Sequence, residues 1–112
     1  MIRMFRGSTP TLPIEIEGAD LSQAKVFLTI VNPKQGKQFT LTTPDDFTLL
    51  YDAENEKTVG EVTLTQEQTL AIQAGTCEAQ IRYIFPDGAA DATLKTSITI
   101  QDVLLNGVIN YE

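Results

Sequence analysis

At 112 residues, with 42% apolar and 21% charged side chains, the chain has the size and composition of one domain around one core. Fifteen acidic residues against eight basic ones leave a net charge of −7, and the lysines are scattered, so the cationic footprint of a nucleic-acid binder is missing. No apolar run approaches the roughly 18 residues of a membrane-spanning helix.

The opening Met1-Ile2-Arg3-Met4-Phe5-Arg6 has basic residues but no apolar h-region, so it does not read as a secretory signal. From there a period-2 alternation recurs, which is the signature of strands with one buried face. Leu12, Ile14 and Ile16 fall on one side, with Pro13, Glu15 and Glu17 on the other. Ala24, Val26, Leu28 and Ile30 form the next row. The turn residues 33–36 then join segments 24–31 and 37–43 as a hairpin, with Phe39 and Leu41 inward. After Thr43-Pro44-Asp45-Asp46, the residues Phe47, Leu49 and Tyr51 continue the pattern. Residues 55–60 are polar and turn-like, and Val62 and Leu64 alternate after them.

One segment departs from the rule. In 65–72 the pattern is that of a single helical turn, with Thr65 as N-cap and Gln68 completing a capping box. Leu70 is expected to plug the core there, and Gly75 to release the chain into the next strand. Cys77, Ala79, Ile81, Tyr83 and Phe85 make the longest row, and Leu94, Ile98 and Ile100 the last. Pro86-Asp87-Gly88 reads as the turn joining 77–85 to 92–100. Without βαβ alternation the fold class is all-β: a single antiparallel β-sandwich domain, residues 1–112, with one short helical turn near 66–72.

Catalytic signals are sparse. The sequence has no histidine and no tryptophan, which removes the commonest general base and the Ser-His and Cys-His pairs. Cys77 cannot form an internal disulfide, and its apolar row reads as a buried structural thiol. Glu15 and Glu17 stand about 7 Å apart by strand rise, but their alternation with Ile14 and Ile16 reads as a solvated face. Asp45, Asp46, Asp52 and Glu54 fit no calcium-loop pattern and read as turn residues. We therefore assign no catalytic, cofactor-binding or metal-binding residue and expect a non-enzymatic protein. Tyr51 and Tyr111 are the aromatics available to an alternative carbohydrate-binding role.

Both ends are apolar for termini. Ile2, Met4 and Phe5 at one end, and Val103, Leu104, Leu105, Val108 and Ile109 at the other, are the expected interface residues. Residues 102–112 read either as a terminal strand on the domain's own core or as a docking segment that adds to a neighbour's sheet edge.

Several segments together resemble a known group. Arg3-Met4-Phe5-Arg6-Gly7-Ser8-Thr9-Pro10-Thr11, followed by Ile14-Glu15-Ile16, resembles the opening of small phage and prophage proteins: a short strand, an R-G-[DS]-T turn, then a second strand. Gly18-Ala19-Asp20-Leu21-Ser22-Gln23-Ala24-Lys25-Val26 resembles their DLTGA-x-V step, with Ser22-Gln23 where the pattern has Thr-Gly. Leu64-Thr65-Gln66-Glu67-Gln68-Thr69-Leu70 resembles their LT-x-E-x-T-x-x-L step, and Ala74-Gly75-Thr76 their lead-in to the long strand. The group is similar to the N-terminal domain of phage baseplate upper proteins, an immunoglobulin-like sandwich. The resemblance implies a tail or baseplate accessory role, with other phage structural proteins or further copies of the chain as partners; charge and hydropathy, as above, point to no nucleic acid and no membrane. It also implies synthesis in the bacterial cytoplasm and residence in the virion once assembled.

Overall fold

The computed structural model describes residues 2–112, and the chain forms a β-sandwich of two sheets enclosing one core. In chain order the strands are β1 (Ile2–Phe5), β2 (Thr11–Glu17), β3 (Lys25–Val31), β4 (Gln38–Thr42), β5 (Thr48–Asp52) and β6 (Lys57–Thr63). A helical turn, α1 (Gln66–Leu70), precedes β7 (Gly75–Ile84), β8 (Ala90–Ala92) and β9 (Thr96–Gln101). The larger sheet runs β1-β9-β7-β3-β4, with β8 also on β7; the smaller runs β2-β6-β5. All pairings are antiparallel except β1 with β9, which is parallel.

The alternation translates directly into layers. Leu12, Ile14 and Ile16 of β2 and Val62 of β6 point inward from one sheet, and Val26, Leu28, Ile30, Cys77, Ile81, Ile98 and Ile100 meet them from the other. Tyr83 and Phe85 pack edge-to-face at the margin of this core, with ring centroids 5.8 Å apart. The hairpin at 33–36 forms as expected. Buried Asn32 organises it by accepting from the Lys34 N–H on Oδ1, while its carbonyl accepts from Gln35 and Gly36.

Three local expectations are corrected. Residues 57–60 belong to β6, because the turn from β5 closes earlier: the Asp52 carboxylate accepts the N–H groups of Glu54 and Asn55. Ile72, 1% exposed, plugs the core after α1, whereas Leu70 is half-buried and lies against Gly7. The row Leu94, Ile98, Ile100 is broken. Arg82 pairs with Ala92 and Ala79 with Thr96, so three residues (93–95) oppose two on β7. This is a β-bulge. One inserted residue reverses which face each side chain takes, so Leu94 is 91% exposed while Ile98 and Ile100 stay buried. Thr93 closes the bulge: its N–H donates to Ile81 O at 2.8 Å, and its hydroxyl accepts from Ile81 N–H at 3.2 Å.

Candidate interaction surface

The two ends of the chain meet at one end of the sandwich, around Arg6. After β1 the chain leaves the larger sheet, turns through Gly7 at φ 78°, and enters β2 of the smaller sheet. Here the Arg6 guanidinium donates from Nε to Ile72 O at 3.0 Å and from a terminal nitrogen to Leu70 O at 2.9 Å. Those carbonyls close the C-terminal end of α1, where the helix leaves acceptors without intrahelical partners and a cation is favoured. The other terminal nitrogen reaches Asp102 Oδ1 at 3.2 Å, just past β9. Arg6 thus links the first connection, the helical turn and the C-terminal arm.

Thr69 makes the second half of this joint. Its buried hydroxyl accepts the Gly7 N–H at 2.9 Å and donates to Ser8 O at 2.9 Å. The capping box of Thr65 and Gln68 forms as the sequence indicates, so the threonine is presented by a well-closed turn. A similar device joins the 18–26 segment to the smaller sheet. The Thr58 hydroxyl donates to Ala19 O at 2.7 Å and accepts from Leu21 N–H at 2.9 Å. The short motifs singled out in the sequence are therefore joints between elements distant in the chain.

Residues 102–112 form no strand. β9 already has β7 on one side and β1 on the other, so no sheet edge is left beside it, and Gly107 turns the backbone at φ 88°. The segment runs instead as an arm across the end of the sandwich. It is pinned by the Gln66 side-chain amide, which accepts from Ile109 N–H at 2.8 Å and donates to Ile109 O at 3.0 Å, as a neighbouring strand's peptide would. Leu104, Leu105, Val108, Ile109 and Tyr111 are exposed, with Leu104 and Tyr111 completely so, and Val103 is half-buried. Of the N-terminal interface expectations, Phe5 is exposed and Ile2 half-buried against the core. Met4, 4% exposed, is a core residue and is withdrawn from the interface: parallel pairing with Ile100 turns it inward. Gln66 and Arg6 were not singled out by residue chemistry. The R-G-S-T turn was the signal, but its function as a joint depends on partners more than 60 positions away.

Several of the other ionisable groups have local structural surroundings that account for them. Cys77 is fully buried in β7, and burial pushes its thiol above the ordinary range. Glu15 accepts from Lys57 Nζ at 2.6 Å across the β2–β6 pair. Asp46 caps the N–H of Thr42, and Asp20 accepts from Ser22. Tyr51 is half-buried on β5, and Tyr111 stands on the arm. Among the described residues no helix is long and apolar enough to cross a membrane. Comparison with protein-family models and with curated proteins finds no match to this chain.

Proposed function

We propose that the protein is a structural assembly module of a phage or prophage, a tail or baseplate accessory, that holds a larger structural protein through its C-terminal arm. The observation that carries the reading is the arm itself. Five large apolar side chains stand exposed on residues 104–111, in a stretch without a charged residue. Such a patch marks an interaction site on a small domain, and an extended apolar segment is suited to adding onto a partner's sheet edge. The sequence resemblance to baseplate upper proteins supports the phage setting. The strand order supports its immunoglobulin-like part. β2-β6-β5 corresponds to strands B, E and D of such a sandwich, and β9-β7-β3-β4 to G, F, C and C′.

The test is deletion of residues 103–112, which keeps the Arg6–Asp102 contact. The shortened protein is expected to remain folded, since core and joint lie outside the deleted residues, but to disappear from particles recovered after prophage induction. Incorporation of the shortened protein at the full-length level, measured by mass spectrometry of purified particles, overturns the assignment of the arm. Absence of the full-length protein from every particle overturns the phage reading.

A further inference from the structure

A sandwich of two open sheets has exposed edges, and natural edges usually carry a device against pairing with another chain. Here β2 carries Pro13, which has no N–H, and Glu15 and Glu17. β1 has only four residues and includes Arg3. β5 ends in Asp52 and is flanked by Asp45 and Asp46 before it and Glu54 after it, so two copies paired antiparallel there would bring like charges together. β4, Gln38-Phe39-Thr40-Leu41-Thr42, has neither proline nor charge.

The hydrogen bonds of β4 show which groups face outward. Lys37 O accepts from Asn32 N–H, and Thr43 N–H donates to Val26 O, so the odd-numbered residues 37–43 face β3. By alternation Gln38, Thr40 and Thr42 present their N–H and C=O to the open edge. Asp46 already occupies both groups of Thr42: its carboxylate accepts the Thr42 N–H at 2.8 Å, and its own N–H donates to Thr42 O at 2.9 Å. The groups left for an incoming strand are those of Gln38 and Thr40. An antiparallel two-fold pairing centred on Phe39 sets Gln38 against Thr40 of the second copy, and Thr40 against Gln38. Each pair exchanges two main-chain hydrogen bonds. The two Phe39 side chains then form the close, non-hydrogen-bonded cross-strand pair, on the side where Phe39 is only half-buried against the core.

The ends of β4 have opposite charge. Lys34 and Lys37 lie before it, and Asp45 and Asp46 after it. In the antiparallel arrangement the basic end of each copy meets the acidic end of the other, twice over. Lys25, near the acidic end, has its ammonium over the Phe27 ring, 5.6 Å from the centroid. We propose that β4 is a homotypic docking edge, through which two copies of this chain pair antiparallel about Phe39 and join their larger sheets into one. The inference goes beyond the phage reading and does not use the arm, so the two stand or fall separately. An edge of five residues gives an interface at the small end of the size range, hence a weak dimer.

Sedimentation velocity and light scattering on the intact protein, from about 10 µM to 1 mM, are expected to show a rise from 12.3 kDa toward twice that mass. Thr40→Pro removes an N–H that faces away from β3 and is expected to leave a folded monomer, because an edge position tolerates proline. Lys37→Glu is expected to weaken the dimer about tenfold, and adding Asp45→Lys to restore it, by reversing charge at both ends. Phe39→Cys is expected to cross-link two copies on mild oxidation, since Cα atoms of such a pair stand about 4.5 Å apart, within disulfide reach. Gln38→Cys is expected not to. A monomer throughout the range, or a dimer that survives Thr40→Pro, overturns the proposal. Cross-linking by Gln38→Cys in place of Phe39→Cys overturns the register.

Discussion

Replacing Arg6 with alanine tests the joint at the end of the sandwich. The side chain is 22% exposed and donates to two main-chain carbonyls at 3.0 and 2.9 Å. A hydrogen bond involving a charged group contributes about 1.5 kcal/mol at the lower end of its range, so the pair amounts to about 3 kcal/mol. The Asp102 contact adds little, because that carboxylate is 61% exposed and solvent screens an exposed ion pair. For a domain of this size a loss of about 3 kcal/mol lowers the melting temperature by about 12 °C. Urea and thermal unfolding of wild type, Arg6→Ala, Asp102→Ala and the double variant, followed by circular dichroism, measure both quantities. The Arg6→Ala loss is expected to exceed the Asp102→Ala loss several-fold, with only weak coupling between the two. Arg6→Lys is expected to recover only part, because one ammonium replaces a planar fork of donors. A loss below about 1 kcal/mol, or one equal to that of Asp102→Ala, refutes the reasoning and reduces Arg6 to a surface ion pair.

Further outcomes follow from the same geometry. Gly60→Ala places a Cβ 2.5 Å from Leu49 Cδ2 and 2.7 Å from the Thr48 carbonyl oxygen. With backbone on one side the strand pair must shift, and a loss of about 1–3 kcal/mol is expected in chemical denaturation. Leu94→Asn is expected to change stability by less than about 0.5 kcal/mol, whereas Ile98→Ala, four residues on, is expected to cost about 2–4 kcal/mol by leaving a cavity; equal losses would remove the bulge from the account. Cys77 is expected to resist a thiol reagent in the native protein and to react once urea unfolds it, since burial both shields the thiol and raises its pKa. The Asp102 carboxyl is held below its ordinary value, first by the Val103 N–H and then by Arg6. Its contribution is therefore present above the unfolded carboxylate pKa of about 3.9 and is lost as pH falls through the lower folded value. The melting temperatures of wild type and Asp102→Asn should accordingly differ at neutral pH and converge in acid.

Facing was legible from the residues, pairing less so. The inward rows Leu12-Ile14-Ile16 and Val26-Leu28-Ile30 were readable because the side-chain period of a strand is a local property of the backbone. The capping box at Thr65 and Gln68 was readable for the same reason, since both halves lie within one turn. Leu94 was misplaced because a single inserted residue reverses facing, and its only mark is a pairing register that depends on β7, more than ten positions away. Met4 could not be told from an interface residue until parallel pairing with β9 turned it inward. The arm, apolar in sequence, could be strand or docking segment. Its exposure was settled when β1 took the edge of β9 that a final strand would have needed. Composition and alternation thus determined an all-β chain, its inner faces and its turns. The partner of each edge, and therefore which apolar groups remain exposed, was decided only by long-range pairing, where one strand's gain closes the site to another.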